Sequence, residues 1–185
     1  MKKHEILSPQ ARAELFDPPN DPATIVRHYT LSPDCLALIR RRRRDANRLG
    51  FAVHLAYQRF PGRVLGIDEI PPAAILSFIA GQLSIALGAF NEYARREETR
   101  WEHLGEIQSY LRVRPFNRDD YRYVAKIATE EAMGTDRGDA IVAAMIEALR
   151  TRGILLPAPT ILETHRSGGS RARSKANPQE SHRGN

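Results

Sequence analysis

HYTLSPDCLALIRRRRRDANRLGFAVHLAYQRFPG, residues 28–62, opens on a helix start at Ser32-Pro33, runs an apolar face into five consecutive arginines at 40–44, and closes at Phe60-Pro61-Gly62. Leu36, Ile39, Leu49, Val53, Ala56 and Phe60 keep a near-helical period, with Arg43 and Ala46 in the intervening positions of that face. Asp45 has the chemistry to cap a new helix, so the stretch reads either as two helices broken near Asp45 or as one continuous helix. From Arg27 to Arg63 there are nine arginines against Asp34 and Asp45, a local charge of +7.

The same start signal recurs upstream. Ser8-Pro9 precedes an apolar segment at 11–16 that Asp17-Pro18-Pro19 stops, and Asp21-Pro22 starts another through Ile25 and Val26. In each, a side-chain oxygen accepts an orphaned backbone N–H, and proline at the first helical position lacks only a donor that the helix does not use. Downstream, Pro71-Pro72 opens a segment at 72–87 that is apolar over most of its circumference, the pattern of a helix in the centre of a domain. Thr99 heads a polar helix whose Trp101, Leu104, Ile107 and Leu111 mark one buried stripe, and Asn117 caps another with Tyr121, Val124, Ile127 and Ala128 inward. Met133-Gly134-Thr135-Asp136 reads as a turn. Residues 139–150 follow as a helix with Ile141, Val142, Met145, Ile146 and Leu149 on one face. Ile154-Leu155-Leu156 has the character of a short extended run, and Thr160 of a cap on one last turn.

No segment alternates with period two, so the expected fold is all-α: one compact multi-helix domain over 1–164 with helix-turn-helix-like subdomains. Residues 165–185 hold no aliphatic side chain larger than alanine and are expected to form a disordered basic tail. That tail carries +4 of the net charge of +6, so the body outside 27–63 is net acidic and the arginine stretch is its one strongly basic region. The single cysteine, Cys35, excludes an internal disulfide framework and reads as a small buried residue within a helix. The N-terminus lacks the apolar run of a signal peptide, and 72–87, broken by Ser77, Gln82 and Ser84, is short of the roughly 20 residues that span a bilayer. A cytoplasmic protein without a membrane partner is the expectation.

On a continuous helix, Arg40, Arg44 and Arg48 would project from one side at four-residue spacing, with Arg41 adjacent and Asn47 beside them. Such a row neutralises phosphates, and arginine reads guanine bidentately in the major groove. A solvated face explains the same composition. Two features favour nucleic acid: five adjacent arginines repel one another without the four-residue-spaced acids of a purely structural helix, and short capped helices around them suit a helix-turn-helix-like arrangement. Arg112, Arg114 and Arg118, flanking Pro115-Phe116, are a weaker candidate for backbone contact. The mixed run Arg95-Arg96-Glu97-Glu98-Thr99-Arg100 reads as a solvated helix start with local ion pairs. Asp119-Asp120 sits where carboxylates favour a helix dipole rather than a metal. The histidines lack ligand spacing, and neither a phosphate-binding glycine loop nor a nucleophile with a matching base is identifiable, so no catalytic residue, metal or cofactor is expected.

The ordered strings His28-Tyr29-Thr30-Leu31-Ser32, the arginine run, Ala46-Asn47-Arg48-Leu49-Gly50-Phe51-Ala52 and Tyr57-Gln58-Arg59-Phe60-Pro61-Gly62-Arg63 closely resemble the N-terminal region of Tn-three family transposases, the large enzymes of class II replicative transposons. The likeness continues through Pro71-Pro72-Ala73-Ala74, Arg96-Glu97-Glu98-Thr99-Arg100, Arg114-Pro115-Phe116, Thr135-Asp136-Arg137-Gly138 and Pro157-Ala158-Pro159-Thr160-Ile161. The resemblance implies a helical module that binds double-stranded DNA at terminal inverted repeats; within the matching segments, charge and spacing make Arg40, Arg41, Arg42, Arg43, Arg44, Asn47, Arg48, Arg59 and Arg63 the favoured contacts. It places the family's catalytic carboxylates far downstream, so this chain is expected to be a truncated, non-catalytic relative. Full-length transposase is a further expected partner. Two alternatives stay open: a helical module that contacts other transposase subunits, and a non-functional remnant.

Overall fold

A computed structural model describes residues 7–93 and 97–164; the expected tail at 165–185, together with Arg95 and Arg96, lies outside the described residues. Among the described residues the fold is all-α, with eight α-helices: α1 (Pro9–Phe16), α2 (Pro22–Tyr29), α3 (Pro33–Arg40), α4 (Asp45–Arg59), α5 (Ala73–Leu83), α6 (Glu97–Leu111), α7 (Arg118–Gly134) and α8 (Gly138–Thr151). A 3₁₀ segment, Leu87–Glu92, and a last helical turn at 159–164 complete it. None of these helices is long and apolar enough to cross a membrane.

The local start signals act as read. Ser8, Asp21 and Ser32 each accept the backbone N–H three residues on (Ala11, Thr24 and Cys35), with proline at the first helical position. Asn117 and Asp120 form a reciprocal capping box at the start of α7. The connection between α7 and α8 is 135–137 rather than 133–136, because α7 continues through Gly134.

The helices enclose two hydrophobic clusters. The first gathers α2 to α5 and Ile107 of α6; the second joins Leu7 and Phe16 to α7, α8, Ile154, Leu156 and Leu162. Chain order is therefore not core order: α1 packs with α8, and Arg12 of α1 bonds Glu163 of the last helical turn at 2.8 Å. The clusters meet at the turn after α4, where Leu156 N–H donates to the Gly62 carbonyl (2.8 Å) and Arg150 Nη2 to the Pro61 carbonyl (3.0 Å). The run 154–156 is extended, as expected, with an isolated parallel bridge between Arg114 and Ile154. Gly153 turns the chain into it at φ +65°, and a Cβ there would meet the Arg112 carbonyl oxygen at 2.8 Å.

Three expectations need correction. The central helix is α4, not the 72–87 segment: ten consecutive residues of α4, from Leu49 through Gln58, are buried, whereas α5 buries only Ile75, Ile79 and Ala80. His54, Gln58 and Gly50 make α4 look amphipathic, but neighbouring helices cover its polar side as well. Trp101 is 59% exposed; the buried face of α6 is rotated to His103, Leu104 and Ile107, and the indole instead lies near Arg100 and donates to Glu97. Tyr121 is exposed and set edge-on to Phe116, leaving Asp120, Val124 and Ala128 as the buried positions of α7.

Candidate nucleic-acid interface

The arginine run does not lie on one helix. Helix α3 ends at Arg40, residues 41–44 form a turn, and α4 begins at Asp45, with Arg44 in extended geometry (φ −122°, ψ 146°) at the N-cap. Arg40, Arg44 and Arg48 therefore form no continuous helical row. Asp45 is the first helical residue rather than the cap, and Arg44 gives no side-chain cap bond.

What organises the turn is Arg42. Its guanidinium points inward, donating to Glu106 of α6 at 2.6 Å and lying 4.7 Å from the centre of the Phe51 ring; the side chain is only 17% exposed. Arg48 braces the same turn from inside α4, with Nε donating to the Arg42 carbonyl (2.9 Å) and Nη1 reaching Asp45 (3.3 Å). Arg42→Ala is expected to lower stability by about 1–2 kcal/mol, since a cation–π contact and a partly exposed ion pair go together. A lowered urea midpoint at unchanged slope would register this, and a midpoint equal to wild type would remove Arg42 as the anchor.

With Arg42 held inward, Arg40, Arg41, Arg43 and Arg44 are exposed, and their guanidiniums make no ion pair or hydrogen bond to another described residue. Arg40 and Arg41 suit the negative end of the α3 dipole, whereas Arg44 faces the positive end of α4, where a cation is unfavourable. Asn47 is half-buried in the first turn of α4. Because Leu49 to Gln58 of α4 are enclosed, what a duplex can reach beside the arginine turn is the first turn of α4 and the preceding loop.

Arg59 and Arg63 stand apart from the turn and are engaged in the fold. Arg59 Nη2 donates to the carbonyls of His28 (2.5 Å) and Thr30 (2.9 Å), closing the C-terminus of α2. Arg63 forms a two-pronged pair with Glu69 (2.5 and 2.7 Å) and lies over Tyr57, and the pair holds the Glu69 carboxyl below its usual range, with burial opposing. The structure thus divides the nine expected contacts into Arg40, Arg41, Arg43 and Arg44, exposed around the turn, the half-buried Asn47, and a set (Arg42, Arg48, Arg59, Arg63) whose donors serve the fold. The sequence does not reveal that division, because most of the acceptors are backbone carbonyls or carboxylates distant in the chain. Cys35 is buried as expected, its Sγ 3.8 Å from Tyr110 Oη.

An all-α body with a rigid, outward-facing arginine turn is the frame in which its kinship takes on meaning. The family model described as "Domain of unknown function (DUF4158)" matches residues 6–166, and the chain belongs to that family. It is 43% identical over 163 residues to the transposase for transposon Tn21 of Escherichia coli and 37% identical over 163 residues to that for Tn501 of Pseudomonas aeruginosa. Identity to the transposase for Tn1546 of Enterococcus faecium is 35% over 161 residues. These matches cover 86–88% of this chain but 16% of each relative, so the likeness to Tn3-family transposases concerns one part of much longer proteins.

Proposed function

We propose that this chain binds the terminal inverted-repeat DNA of a transposon, as the N-terminal module of a transposase does, and performs no strand cleavage or joining itself. The observation that carries this reading is the turn at 41–44: one arginine locks it to Glu106 and Phe51, and its neighbours are left to solvent without partners among the described residues. A cation without an internal partner is available to displace counterions from a phosphate chain. Kinship to transposases supplies the class of DNA. Strand transfer calls for metal-bound carboxylates, and this reading assigns that chemistry to other parts of a transposase.

The test is an electrophoretic shift of the whole chain with a terminal-repeat duplex and a scrambled one over a salt series. Tighter binding to the repeat and a steep salt dependence are expected. Replacing Arg41, Arg43 and Arg44 together by alanine is expected to flatten the salt slope by about three, one per lost phosphate contact. Equal affinity for both duplexes would remove sequence-specific recognition. A slope unchanged by the triple variant would remove the turn as the contact.

A second reading, contact with other transposase subunits, draws on a different observation: Ile67, Ile70, Leu87 and Trp101 are large apolar side chains left exposed. Mixing the chain with a full-length transposase without DNA separates the two, because complex formation would favour this reading.

A further inference from the structure

The row of cations that the 40–44 run does not form is present on α7. Arg118, Arg122 and Lys126 are spaced four residues apart within this single helix, and all three are exposed. Along the axis they stand about 6 Å apart. Helix α7 packs on α8 and buries Asp120, Val124 and Ala128. At 100° per residue the opposite side carries Arg118, Arg122, Lys126, Thr129 and Met133, with Asp119 beside Lys126 at its edge. Of the four acids of the helix, Asp120 faces inward and binds Arg114 at 2.7 Å, Asp119 and Glu130 border the row on one side, and Glu131 lies off it. Lys126 reaches Glu130 only at 3.7 Å, and the guanidiniums of Arg118 and Arg122 make no ion pair or hydrogen bond to another described residue. Stability does not account for the row. Arg118 is the first residue of the helix, where a cation opposes the macrodipole, and neighbouring cations at four-residue spacing repel.

We infer that the outer face of α7 is a second DNA-backbone contact, formed by Arg118, Arg122 and Lys126, on the cluster that does not contain the 41–44 turn. The inference rests on the DNA-binding reading above and deepens it: DNA is contacted at two places, one on each hydrophobic cluster. A row of one sign suits a phosphate strand, which is uniformly negative, better than it suits a protein surface of mixed sign. Contacts of this kind position the protein on the duplex and carry no sequence information directly.

The experiment uses the whole chain and three variants: R118A/R122A/K126A, the charge-preserving R118K/R122K, and R41A/R43A/R44A as a separate arm. Each is titrated with the terminal-repeat and scrambled duplexes at several salt concentrations, and folding is verified by thermal melting. The α7 alanine variant is expected to bind both duplexes about tenfold or more weaker near 0.1 M salt and to lose about three from the salt slope. Its ratio of repeat to scrambled affinity should hold, and the lysine variant should stay near wild type. An α7 alanine variant that melts like wild type and binds with unchanged affinity and slope would overturn the inference while leaving the first interface standing. Wild-type protein that shifts neither duplex would overturn both readings. Tight, α7-dependent binding to an acidic polypeptide with none to DNA would assign the face to a protein partner and likewise overturn it.

Discussion

Between pH 6.5 and 5 the fold is expected to lose about 2 kcal/mol for each of His54 and His103, a large share of the roughly 5–15 kcal/mol that holds a domain together. Both imidazoles lie in the wall between α4 and α6 and both are buried. Burial is the main force that holds His54 down at about 3, with Arg100 and His103 adding repulsion and Glu69 opposing. Burial and the nearby Arg42 hold His103 at about 4, opposed by Glu106. Nδ1 of His54 has no hydrogen-bond partner among the described residues, and Nδ1 of His103 is 3.1 Å from the Tyr93 hydroxyl. Below its ordinary 6.5 each ring takes up a proton in the unfolded chain but not in the folded one. Stability therefore falls as pH falls through that window. The depressed carboxyls of Glu69 and Asp120 titrate lower, so the range above pH 5 reports on histidine. Urea midpoints at pH 7, 6 and 5 for wild type and His54→Leu provide the measurement. The variant should lose about 2 kcal/mol less than wild type across the range. Identical pH profiles would mean that His54 charges within the folded state, against its burial.

This pH sensitivity sits next to the proposed interface, because Arg42, which sets the arginine turn, is among the charges that press on His103. A protonated His103 would repel Arg42 and loosen its hold on Glu106. DNA binding lost on acidification together with the cooperative fold would reflect that shared wall. Binding lost while the fold persists would have a different origin, in the groups that face the duplex.

The legible parts of the molecule were those decided within a few residues. Ser8, Asp21, Ser32 and Asn117 cap helices through an oxygen and an N–H two or three positions away, so the chain order itself specifies them. The buried face of α8 was equally plain, since five apolar side chains share it. A break near Asp45 was one of two readings of the arginine run and is the one that holds; what decides it was not legible, because the turn depends on Glu106 and Phe51, one of them on another helix. The enclosure of α4 was hidden for a related reason: His54 and Gln58 look like a solvent face until α5, α6 and the 3₁₀ segment cover them. In α7 the spacing of Arg118, Arg122 and Lys126 was in view, but Asp119, Asp120 and Glu130 masked it. Counting charge along the chain averages over faces that the helix separates.

Gly50→Ala should destabilise the protein by about 3 kcal/mol, although alanine in a helix interior ordinarily gains about 0.5–1 kcal/mol over glycine. A Cβ at this position of α4 would lie 2.0 Å from Cδ2 and 2.1 Å from Cγ of Tyr93, well inside van der Waals contact. The ring has little freedom to yield. Its hydroxyl is bonded to His103, and its face stacks on His103 and Phe90 with centroids 5.7 and 6.2 Å away. Moving it gives up those contacts and uncovers His54, whose ring lies 5.5 Å from that of Tyr93. Overpacking therefore outweighs propensity, and the two are separable in a Tyr93→Ala background. There the clash is gone, and Gly50→Ala should turn neutral or stabilising, a coupling of several kcal/mol between neighbouring sites. Unfolding curves of the four proteins of that cycle decide the matter. Equal destabilisation by Gly50→Ala in both backgrounds would mean that something other than the Tyr93 ring requires glycine there. A reversed sign would establish that close approach to this ring is why α4, directly after the arginine turn, carries a glycine in its second turn.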